Sequence, residues 1–407
     1  MPRLVQLVHG YPPRELAGTE IYTRRVTEGL RRRGWEVLVI ASTRAPGRDH
    51  GTVHAEGGVA RVVNNLPWRP LAQIERDTLV EGRVHGLMRD FGPDLVHVQH
   101  LLFLSAHLEM PCPSIATLHD AWGWCPRSNL LFGGRELCPG PSEERCPDCY
   151  APLCNTSSGD ERLSRLAGAA SRLVEPETLH AAWRRVPAVF KAMRPGHEVP
   201  VGALGPRQEA VAGAFQRLDR RLAPSRYLAD LAADEGLGEV LLLPHGVDPG
   251  APRRGGEPPV FLGSLVPHKG AHLVNEAVPE ALIFGPATDA SYVAGLSNLR
   301  GPVPNEEVPD LLAAAEALVL GSTWPENAPL VVLEARASGC PVVAPRIGGL
   351  PESIEDGVDG VLYEPGDVED LRRAMRSLRE RPHSPRPPMT FESHLDGLLE
   401  HYEAVLT

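Results

Sequence analysis

The sequence predicts an α/β protein built from two doubly wound, Rossmann-like domains. The first observation is length, because 407 residues are enough for two full hydrophobic cores. The second is the order of strand, helix and strand over residues 4–41, which is typical of a doubly wound sheet. The third is a similar alternation over residues 260–355. Ligands of such sheets bind beyond the carboxyl ends of the strands.

The N-terminal half opens with a buried-type strand over residues 4–8. Tyr22, Val26 and Leu30 then repeat at four-residue steps, which predicts a helix, and Gly34 ends it. No G-x-G-x-x-G follows the first strand, so we expect no dinucleotide site there. Further strands are predicted over residues 36–41, 95–99 and 114–118, and further helical stretches over residues 71–91 and 155–221.

The C-terminal half repeats this pattern. We expect the chain to leave the first domain between residues 230 and 243, and we place the domains at residues 1–235 and 236–388. A proline-rich segment, residues 381–388, separates the second domain from a last helix. Strands are predicted over residues 260–262, 281–284, 301–304, 317–320 and 341–344, with helices over residues 306–316 and from about residue 329.

Charge and hydropathy exclude several classes of protein. The net charge of −11 argues against a nucleic acid partner, because phosphate backbones bind basic surfaces. No apolar run approaches the ~20 residues of a membrane span, and no signal peptide precedes the first strand. We therefore expect a cytoplasmic protein, with peripheral membrane contact left open. Lys191 and Lys269 are the two lysines among 41 Lys and Arg residues.

The most informative stretch covers residues 321–355. Two of its carboxylates, Glu326 and Glu334, are separated by seven residues. If a helix begins with Pro329 at its first position, Glu326 precedes the helix and lies near its free N–H groups, whereas Glu334 lies along it. Carboxylates accept from hydroxyl groups and free amides bind anions, a combination that suits a sugar nucleotide. The alternative is an ordinary αβα unit with a surface glutamate.

The run PENAPLVVLEARASGCPVVAPRIGGLPE resembles the signature of the retaining family 4 glycosyltransferases, with its pattern of Glu, seven residues and Glu. The resemblance implies a GT-B fold, in which two Rossmann-like domains face a central cleft. It also implies that the second domain holds a nucleotide-sugar donor and the first domain the acceptor. The last helix, residues 391–407, would pack back on the first domain.

The same resemblance implies roles for residues of this run. Glu326 would face the donor sugar as a catalytic residue, and Glu334 would hold the ribose of the nucleotide. The residues at the helix start would offer amides to the sugar and phosphates, namely Asn327, Ala328 and Leu330. The paired glycines Gly348 and Gly349 let a backbone approach a ligand closely.

Three residues outside this run become candidates in the same way. Gly18, in the loop after the first strand, would contact the donor phosphate. Val303 would meet the edge of the base. His119 follows a predicted strand at the end where open α/β sheets place ligand-binding groups, although a histidine packed in a loop fits the position alone equally well. With the resemblance, we expect His119 to contact the donor sugar.

Residues 263–270 resemble the family's Gly-Arg-Leu…Lys-Gly loop, whose Arg and Lys hold the diphosphate. Lys269 occupies the Lys position and is a predicted catalytic residue. Ser264 occupies the Arg position, so the sequence lacks one of the two cations there. Arg346 is a candidate replacement, and a surface charge is the alternative.

Five of the seven cysteines fall between residues 125 and 154. The C-x-x-C spacing of Cys146 and Cys149, together with Cys125 and Cys138, fits a structural zinc site, with an iron–sulfur cluster less favoured. A loop of free thiols is the alternative. We expect the acceptor side of the cleft to include four residues, Glu20, Asp120, Trp122 and Arg127.

Taken with the resemblance, the sequence predicts a retaining glycosyltransferase that moves a sugar from a UDP- or GDP-sugar to a hydroxyl-bearing acceptor. Glycans, lipid-linked acceptors and natural-product small molecules remain open. No D-x-D metal motif is evident, so we expect catalysis without a cofactor or divalent cation. Two alternatives remain. One is a sugar-nucleotide epimerase or phosphorylase on the same fold, and the other is a partner subunit that binds nucleotide sugar without turnover.

Overall fold

The computed structural model describes residues 1–45, 48–64, 76–151, 199–287 and 289–407. Within these ranges the chain forms an eight-stranded sheet, a six-stranded sheet and a two-stranded hairpin. The larger part of the predicted helical stretch over residues 155–221 lies outside the described residues, as does the beginning of the predicted helix over residues 71–91. Among the helices described, none is both long and apolar enough to cross a membrane.

The first sheet has β1 near its centre, paired in parallel with β2 on one side and β5 on the other. Its strand order is β10-β9-β6-β5-β1-β2-β4-β3, and the edge strand β3 runs antiparallel to β4. Its strands are β1 (Arg3–Val8), β2 (Glu36–Thr43), β3 (Val53–Glu56), β4 (Val59–Val63), β5 (Leu95–Val98), β6 (Ser114–Thr117), β9 (Arg220–Ala223) and β10 (Leu241–Leu242). The last strand lies beyond residue 235, where we placed the end of the first domain.

Helices pack against this sheet, and local capping sets several of their ends. Asp77 accepts a hydrogen bond from the amide of Val80 at the start of one helix, and Gly92 ends that helix in the left-handed conformation. The helices are α1 (Gly18–Arg32), α2 (Thr78–Phe91), α3 (Arg145–Tyr150), α4 (Gly205–Gln216) and α5 (Arg226–Asp234), with a 3-10 turn at Ala121–Gly123 and the hairpin β7 (Leu131–Phe132) and β8 (Glu136–Leu137).

The second sheet is parallel throughout, in the order β13-β12-β11-β14-β15-β16. Its strands are β11 (Val260–Leu262), β12 (Leu282–Phe284), β13 (Leu299–Gly301), β14 (Leu318–Val319), β15 (Val342–Pro345) and β16 (Gly360–Tyr363). Its helices are α6 (Ala271–Ala277), α7 (Ala290–Val293), α8 (Val308–Ala314), α9 (Leu330–Ala337), α10 (Leu350–Ser353) and α11 (Val368–Glu380), with 3-10 turns at Pro267–Lys269 and Asn305–Glu307.

The C-terminal helix α12 (Phe391–Leu406) packs on the first sheet although the chain reaches it from the second. Its buried residues Phe391, Leu395 and Tyr402 share one apolar cluster with Leu4 of β1 and Leu30 of α1. We call the first sheet with its helices and α12 the first lobe, and the second sheet with its helices the second lobe.

Candidate active site

Two glycines bring the ends of adjacent strands of the second sheet together. The loop of residues 263–270 follows β11, and residues 321–329 follow the neighbouring strand β14. A Cβ atom on Gly270 would lie 1.7 Å from the carbonyl oxygen of Gly321, and one on Gly321 would lie 2.2 Å from that of Gly270. Only glycine permits this backbone contact, which places Lys269 beside Ser322.

Lys269 and Glu326 form an ion pair at this point. The Lys269 Nζ lies 2.7 and 2.9 Å from the two carboxylate oxygens of Glu326, and the Ser322 hydroxyl donates to Oε1 at 2.7 Å. Glu326 is 5% exposed. The ammonium also lies 4.7 Å from the ring centroid of Trp324, within cation–π range. The structure therefore brings two predicted catalytic residues into direct contact.

Gly348 and Gly349 pack against the backbone of Glu326 and Asn327. The Gly349 amide donates to the Glu326 carbonyl at 2.7 Å. A Cβ atom on Gly348 would lie 2.2 Å from that carbonyl oxygen, and one on Gly349 would lie 2.0 Å from the carbonyl oxygen of Asn327. The close approach that we expected toward a ligand is thus made toward protein backbone.

The helix behind this loop begins one residue later than the sequence suggested. Pro329 is the N-cap of α9 and Leu330 its first residue, because Pro329 has an extended ψ of 122°. Glu334 lies half-buried along the helix. Burial raises the pKa of Glu334, and the charge of Arg25 in the first lobe partly opposes that increase.

His119 faces this site from the first lobe, directly after β6. Its Nε2 lies 2.8 Å from Oε1 of Gln99, whose own amide donates to Gln6 at 2.9 Å. Since Gln99 thus presents an oxygen, His119 Nε2 carries the proton and Nδ1 is left as an acceptor. Burial lowers the pKa of His119 to about 3, so the ring is neutral at physiological pH.

Two residues of the second lobe, Asn327 and Glu352, bind the first lobe on this side of the cleft. Asn327 donates from Nδ2 to the carbonyl of His119 at 3.2 Å, and its Oδ1 accepts from Ser225. Glu352 accepts from the first two amides of α5, those of Arg226 at 2.7 Å and Tyr227 at 2.6 Å. A carboxylate at a helix N-terminus is favourable for the helix dipole. Lys269 and Glu326 are therefore positioned relative to His119 by contacts that cross the cleft.

A second polar cluster lies deeper in the first lobe. His9 Nε2 lies 3.0 Å from Oε1 of Glu20, and His100 Nε2 lies 3.4 Å from Oδ2 of Asp120. The two imidazole rings are 4.3 Å apart. Burial by itself would raise the pKa values of Glu20 and Asp120, but the facing histidines lower both on balance. Among the described residues, Glu20 Oε2 and His9 Nδ1 are buried without a hydrogen-bond partner.

This cluster gathers three predicted acceptor-side residues, Glu20, Asp120 and Trp122, and adds His9 and His100, which the sequence analysis missed. Trp122 also belongs to it, with its ring 5.0 Å from that of His100. His9 and His100 each follow the carboxyl end of a strand, β1 and β5. That position is the signal that singled out His119, and it could have found both.

A pocket lies between the two lobes. Because it opens on both halves of the site, it is a candidate acceptor space. His119, Asp120 and Asn129 border it from the first lobe together with Tyr227, and Trp324 and Asn327 border it from the second.

Among the described residues, the remaining predicted donor-side residues form no hydrogen bond with the ion pair. Gly18 is exposed at the start of α1, with no atom within 4 Å of a Cβ built on it. Ser264 is exposed, and Val303 packs at the edge of the second lobe's core. Arg346 pairs with Asp356 at 2.8 Å, so its charge is already balanced on the lobe surface.

The zinc prediction is not supported. Among the described residues, no group of three or more His, Cys, Asp or Glu side chains is arranged to hold a metal, and the described cysteines are free thiols. The sulfurs bond to their own loop instead. The Ser142 amide donates to Cys146 at 3.2 Å and the Gly133 amide to Cys149 at 3.3 Å, while Cys138 donates to a carbonyl at 3.3 Å. Cys154 lies outside the described residues.

Two family models match this chain. Residues 259–381 match the model described as glycosyl transferases group 1, and residues 16–137 match the model described as glycosyltransferase family 4. The chain is also similar to D-inositol 3-phosphate glycosyltransferase of Thermobifida fusca, with 34% identity over 137 residues. That alignment covers 31% of each protein, so the chain spans about a third of the length of this relative.

Solved structures resemble the chain over nearly its whole length. Sucrose-phosphate synthase of Thermosynechococcus elongatus aligns with a TM-score of 0.63 at 16% identity, covering 99% of this chain and 98% of that one. Anabaena Alr3699/HepE, in complex with UDP and glucose, aligns with a TM-score of 0.59 at 17% identity, covering 99% and 100%. At these identities the likeness shows the fold, and it confirms the predicted arrangement of two Rossmann-like domains.

Proposed function

The chain belongs to the family 4 and group 1 glycosyltransferases of GT-B fold, and we propose that it transfers a sugar from a nucleoside diphosphate sugar to an acceptor hydroxyl with retention of anomeric configuration. The observation that carries this proposal is the Lys269–Glu326 pair, which lies across the cleft from His119. A donor sugar nucleotide presents an anion and several hydroxyl groups, and this pair offers a partner to each.

Donor binding would exchange the partners within the pair. The diphosphate replaces Glu326 as the anion beside Lys269, and hydroxyl groups of the sugar replace Lys269 as donors to Glu326. Because no charge is then left without a partner, the exchange costs little free energy in a partly buried site. As the sugar–phosphate bond breaks, Lys269 stabilises the charge that develops on the diphosphate.

His119 contributes as a neutral group in this scheme. Its low pKa keeps the ring uncharged, so it does not compete with Lys269 for the diphosphate. Its Nδ1 can accept a hydroxyl group of the donor sugar, while Gln99 holds the ring through Nε2. A donor sugar would thus lie between His119 of the first lobe and Glu326 of the second.

The acceptor would enter through the inter-lobe cavity. Trp324 and Tyr227 offer aromatic faces there, and Asp120 offers a carboxylate that His100 keeps ionised. UDP-glucose is the first donor to test, because the similar Anabaena structure contains UDP and glucose, and GDP-sugars are the second.

Titration calorimetry with UDP, GDP and ADP, followed by turnover of the matching sugar nucleotides, tests the proposal. Lys269→Ala should weaken binding of the preferred diphosphate by about ten- to hundred-fold, which is the contribution of a charged hydrogen bond. Glu326→Gln should bind the diphosphate at least as tightly as wild type, because the competing carboxylate is gone, yet lose turnover. Arg376→Ala, an exposed residue of α11, is the matched control.

Each outcome separates this proposal from its alternatives. Tight binding without turnover on any acceptor pool would identify a nucleotide-sugar-binding partner subunit. Product formation without an added acceptor would identify an epimerase or phosphorylase. If wild type binds none of the three diphosphates, the proposal is wrong.

A further inference from the structure

The imidazole of His119 has one ring nitrogen left for a ligand. Its Nε2 is bonded to Gln99, and Nδ1 makes no hydrogen bond to any residue that the structure describes. The ring borders the pocket between the two lobes. The position of the ring proton therefore decides what His119 offers, because a bare Nδ1 accepts from a hydroxyl group and a protonated Nδ1 donates instead.

A chain of side-chain hydrogen bonds leads to His119 from helix α1. The hydroxyl of Thr27 donates to the backbone carbonyl of Thr23 at 2.8 Å, a bond that threonine often makes inside a helix. Since a hydroxyl group has one proton, this oxygen can only accept from its other neighbours. The side-chain amide of Gln6 is the donor, with its Nε2 2.7 Å from the Thr27 oxygen.

Each later bond takes its direction from this first one. Because the amide nitrogen of Gln6 faces Thr27, its Oε1 faces Gln99 and accepts from Gln99 Nε2 at 2.9 Å. Gln99 therefore turns its own oxygen toward His119, where Oε1 lies 2.8 Å from Nε2. An amide oxygen has no proton to give, so Nε2 of His119 carries the proton and Nδ1 is bare.

The chain lies in the core of the first lobe. Gln6, Thr23 and Thr27 are fully buried and Gln99 is 2% exposed. An amide that flipped by itself would lose its hydrogen bonds at both ends, and unpaired buried polar groups are costly. The bonds therefore keep or reverse their direction together. A reversed chain would require Thr27 to donate to Gln6 in place of the Thr23 carbonyl.

We propose that Gln6 and Thr27, acting through Gln99, are positioning residues that keep Nδ1 of His119 unprotonated, so that the site selects a donor sugar with a hydroxyl group at this point. The inference rests on the proposed function. It gives α1 a part in recognition of the donor, although none of these three residues borders the pocket.

¹⁵N NMR of histidine-labelled protein tests the tautomer without a ligand, because protonated and bare ring nitrogens differ in chemical shift. The signals of His119 are those that disappear in His119→Asn. Wild type should show one tautomer, with the proton on Nε2. Gln6→Leu removes the oxygen that faces Gln99, so both tautomers should appear. Gln6→Glu should restore one tautomer, because a buried neutral carboxyl group donates to Thr27 and accepts from Gln99.

Thr27→Val and Thr23→Val are a matched pair of variants. Both residues are buried on α1, and each hydroxyl donates to the carbonyl four residues earlier. Of the two, Thr27 is the one that bonds to Gln6. Thr27→Val should therefore give His119 both tautomers and Thr27→Ser should keep one, whereas Thr23→Val should show the wild-type tautomer.

Titration calorimetry with UDP-glucose and its monofluorinated analogues tests the selection of the sugar. Fluorine has lone pairs but no proton, so a bare Nδ1 cannot bind it. At least one analogue should bind wild type about ten-fold more weakly than UDP-glucose does. For that analogue the difference should shrink to within about three-fold in Gln6→Leu and Thr27→Val and persist in Thr23→Val. The affinity for UDP should stay the same in all of these variants, because the diphosphate does not contact His119.

Three NMR results would overturn the inference while leaving the proposed function intact. They are a proton on Nδ1 of His119 in wild type, a single wild-type tautomer in both Gln6→Leu and Thr27→Val, or equal changes in Thr23→Val and Thr27→Val. An analogue preference that is the same in every variant would overturn the selection of the sugar. Should the Gln6 variants fail to fold, wild type and the Thr27 variants decide. If wild type binds no diphosphate, the proposed function fails, and the NMR result still separates that failure from a wrong tautomer.

Discussion

The backbones of Gly270 and Gly321 are in contact beside the Lys269–Glu326 pair, and a side chain added at this contact should destabilise the second lobe by a predictable amount. A Cβ atom on Gly270 would lie 1.7 Å from the Gly321 carbonyl oxygen, and Gly270 has a positive φ of 70°. Overpacking costs roughly 1–3 kcal/mol and a left-handed alanine roughly 1–2 kcal/mol more. Gly270→Ala should therefore destabilise the second lobe by about 2–5 kcal/mol.

Gly321→Ala isolates the packing part of this effect. Its Cβ atom would lie 2.2 Å from the Gly270 carbonyl oxygen, but its backbone is not left-handed. The expected loss is about 1–3 kcal/mol. Gly295→Ala is the control in the same lobe, because nothing lies within 4 Å of the added atom. It should be neutral or up to about 1 kcal/mol more stable.

Urea unfolding followed by circular dichroism measures these differences. Because a two-lobed chain can unfold in steps, the same transition must be compared in each variant. Nucleotide binding provides the second readout, since separating the two loops moves Lys269 from Glu326. The reasoning would be refuted if Gly270→Ala unfolded at the same urea concentration as the Gly295→Ala control. It would also be refuted if Gly270→Ala were more stable than Gly321→Ala.

Three further predictions follow from the charges. Burial lowers the pKa of His119 to about 3 and that of His394 to about 4, so below pH 6.5 the unfolded chain binds more protons. Stability should fall by up to about 1.4 kcal/mol per pH unit per histidine as the pH drops from 6.5 toward 4, and an unchanged urea midpoint between pH 7.5 and 5 would contradict this. Glu352→Gln removes the charge that caps α5 across the cleft and should cost about 1 kcal/mol, measured against Glu380→Gln; equal stability would mean that this contact is not formed in solution. EDTA should leave turnover unchanged, because Lys269 supplies positive charge to the diphosphate. If EDTA abolished turnover and added Mg²⁺ restored it, the enzyme would require a metal.

The sequence predicted the strand-end motifs better than the contacts between them. Lys269 and Glu326 were both identified, but their pairing depends on the contact of Gly270 with Gly321, which are distant in sequence. No periodicity or spacing reports such a contact. The edge hairpin β3–β4 and the strand β16 were not predicted. The predicted start of α9 differs from the structure by one residue, because local dihedral angles set helix ends.

The zinc prediction is not supported among the described residues, and spacing alone could not have tested it. The C-x-x-C spacing of Cys146 and Cys149 shows that two thiols are near in sequence. It does not show which other groups form hydrogen bonds with their sulfurs. Both belong to the short helix α3, and backbone amides of the preceding loop donate to their sulfurs. Each of these two sulfurs is therefore hydrogen-bonded within its own loop.

The C-terminal helix forms part of the environment of His119, although it follows the second lobe in the chain. Tyr402 on this helix lies 2.7 Å from Nδ1 of His97, in the strand beside the one that precedes His119. His394 lies 2.9 Å from the hydroxyl of Tyr22, and the Tyr22 ring is 5.1 Å from the His119 ring. Because these groups are buried and polar, each needs its partner to remain in place. The helix that follows the second lobe in the chain therefore contacts His97 and Tyr22 of the first lobe, two residues that lie close to His119.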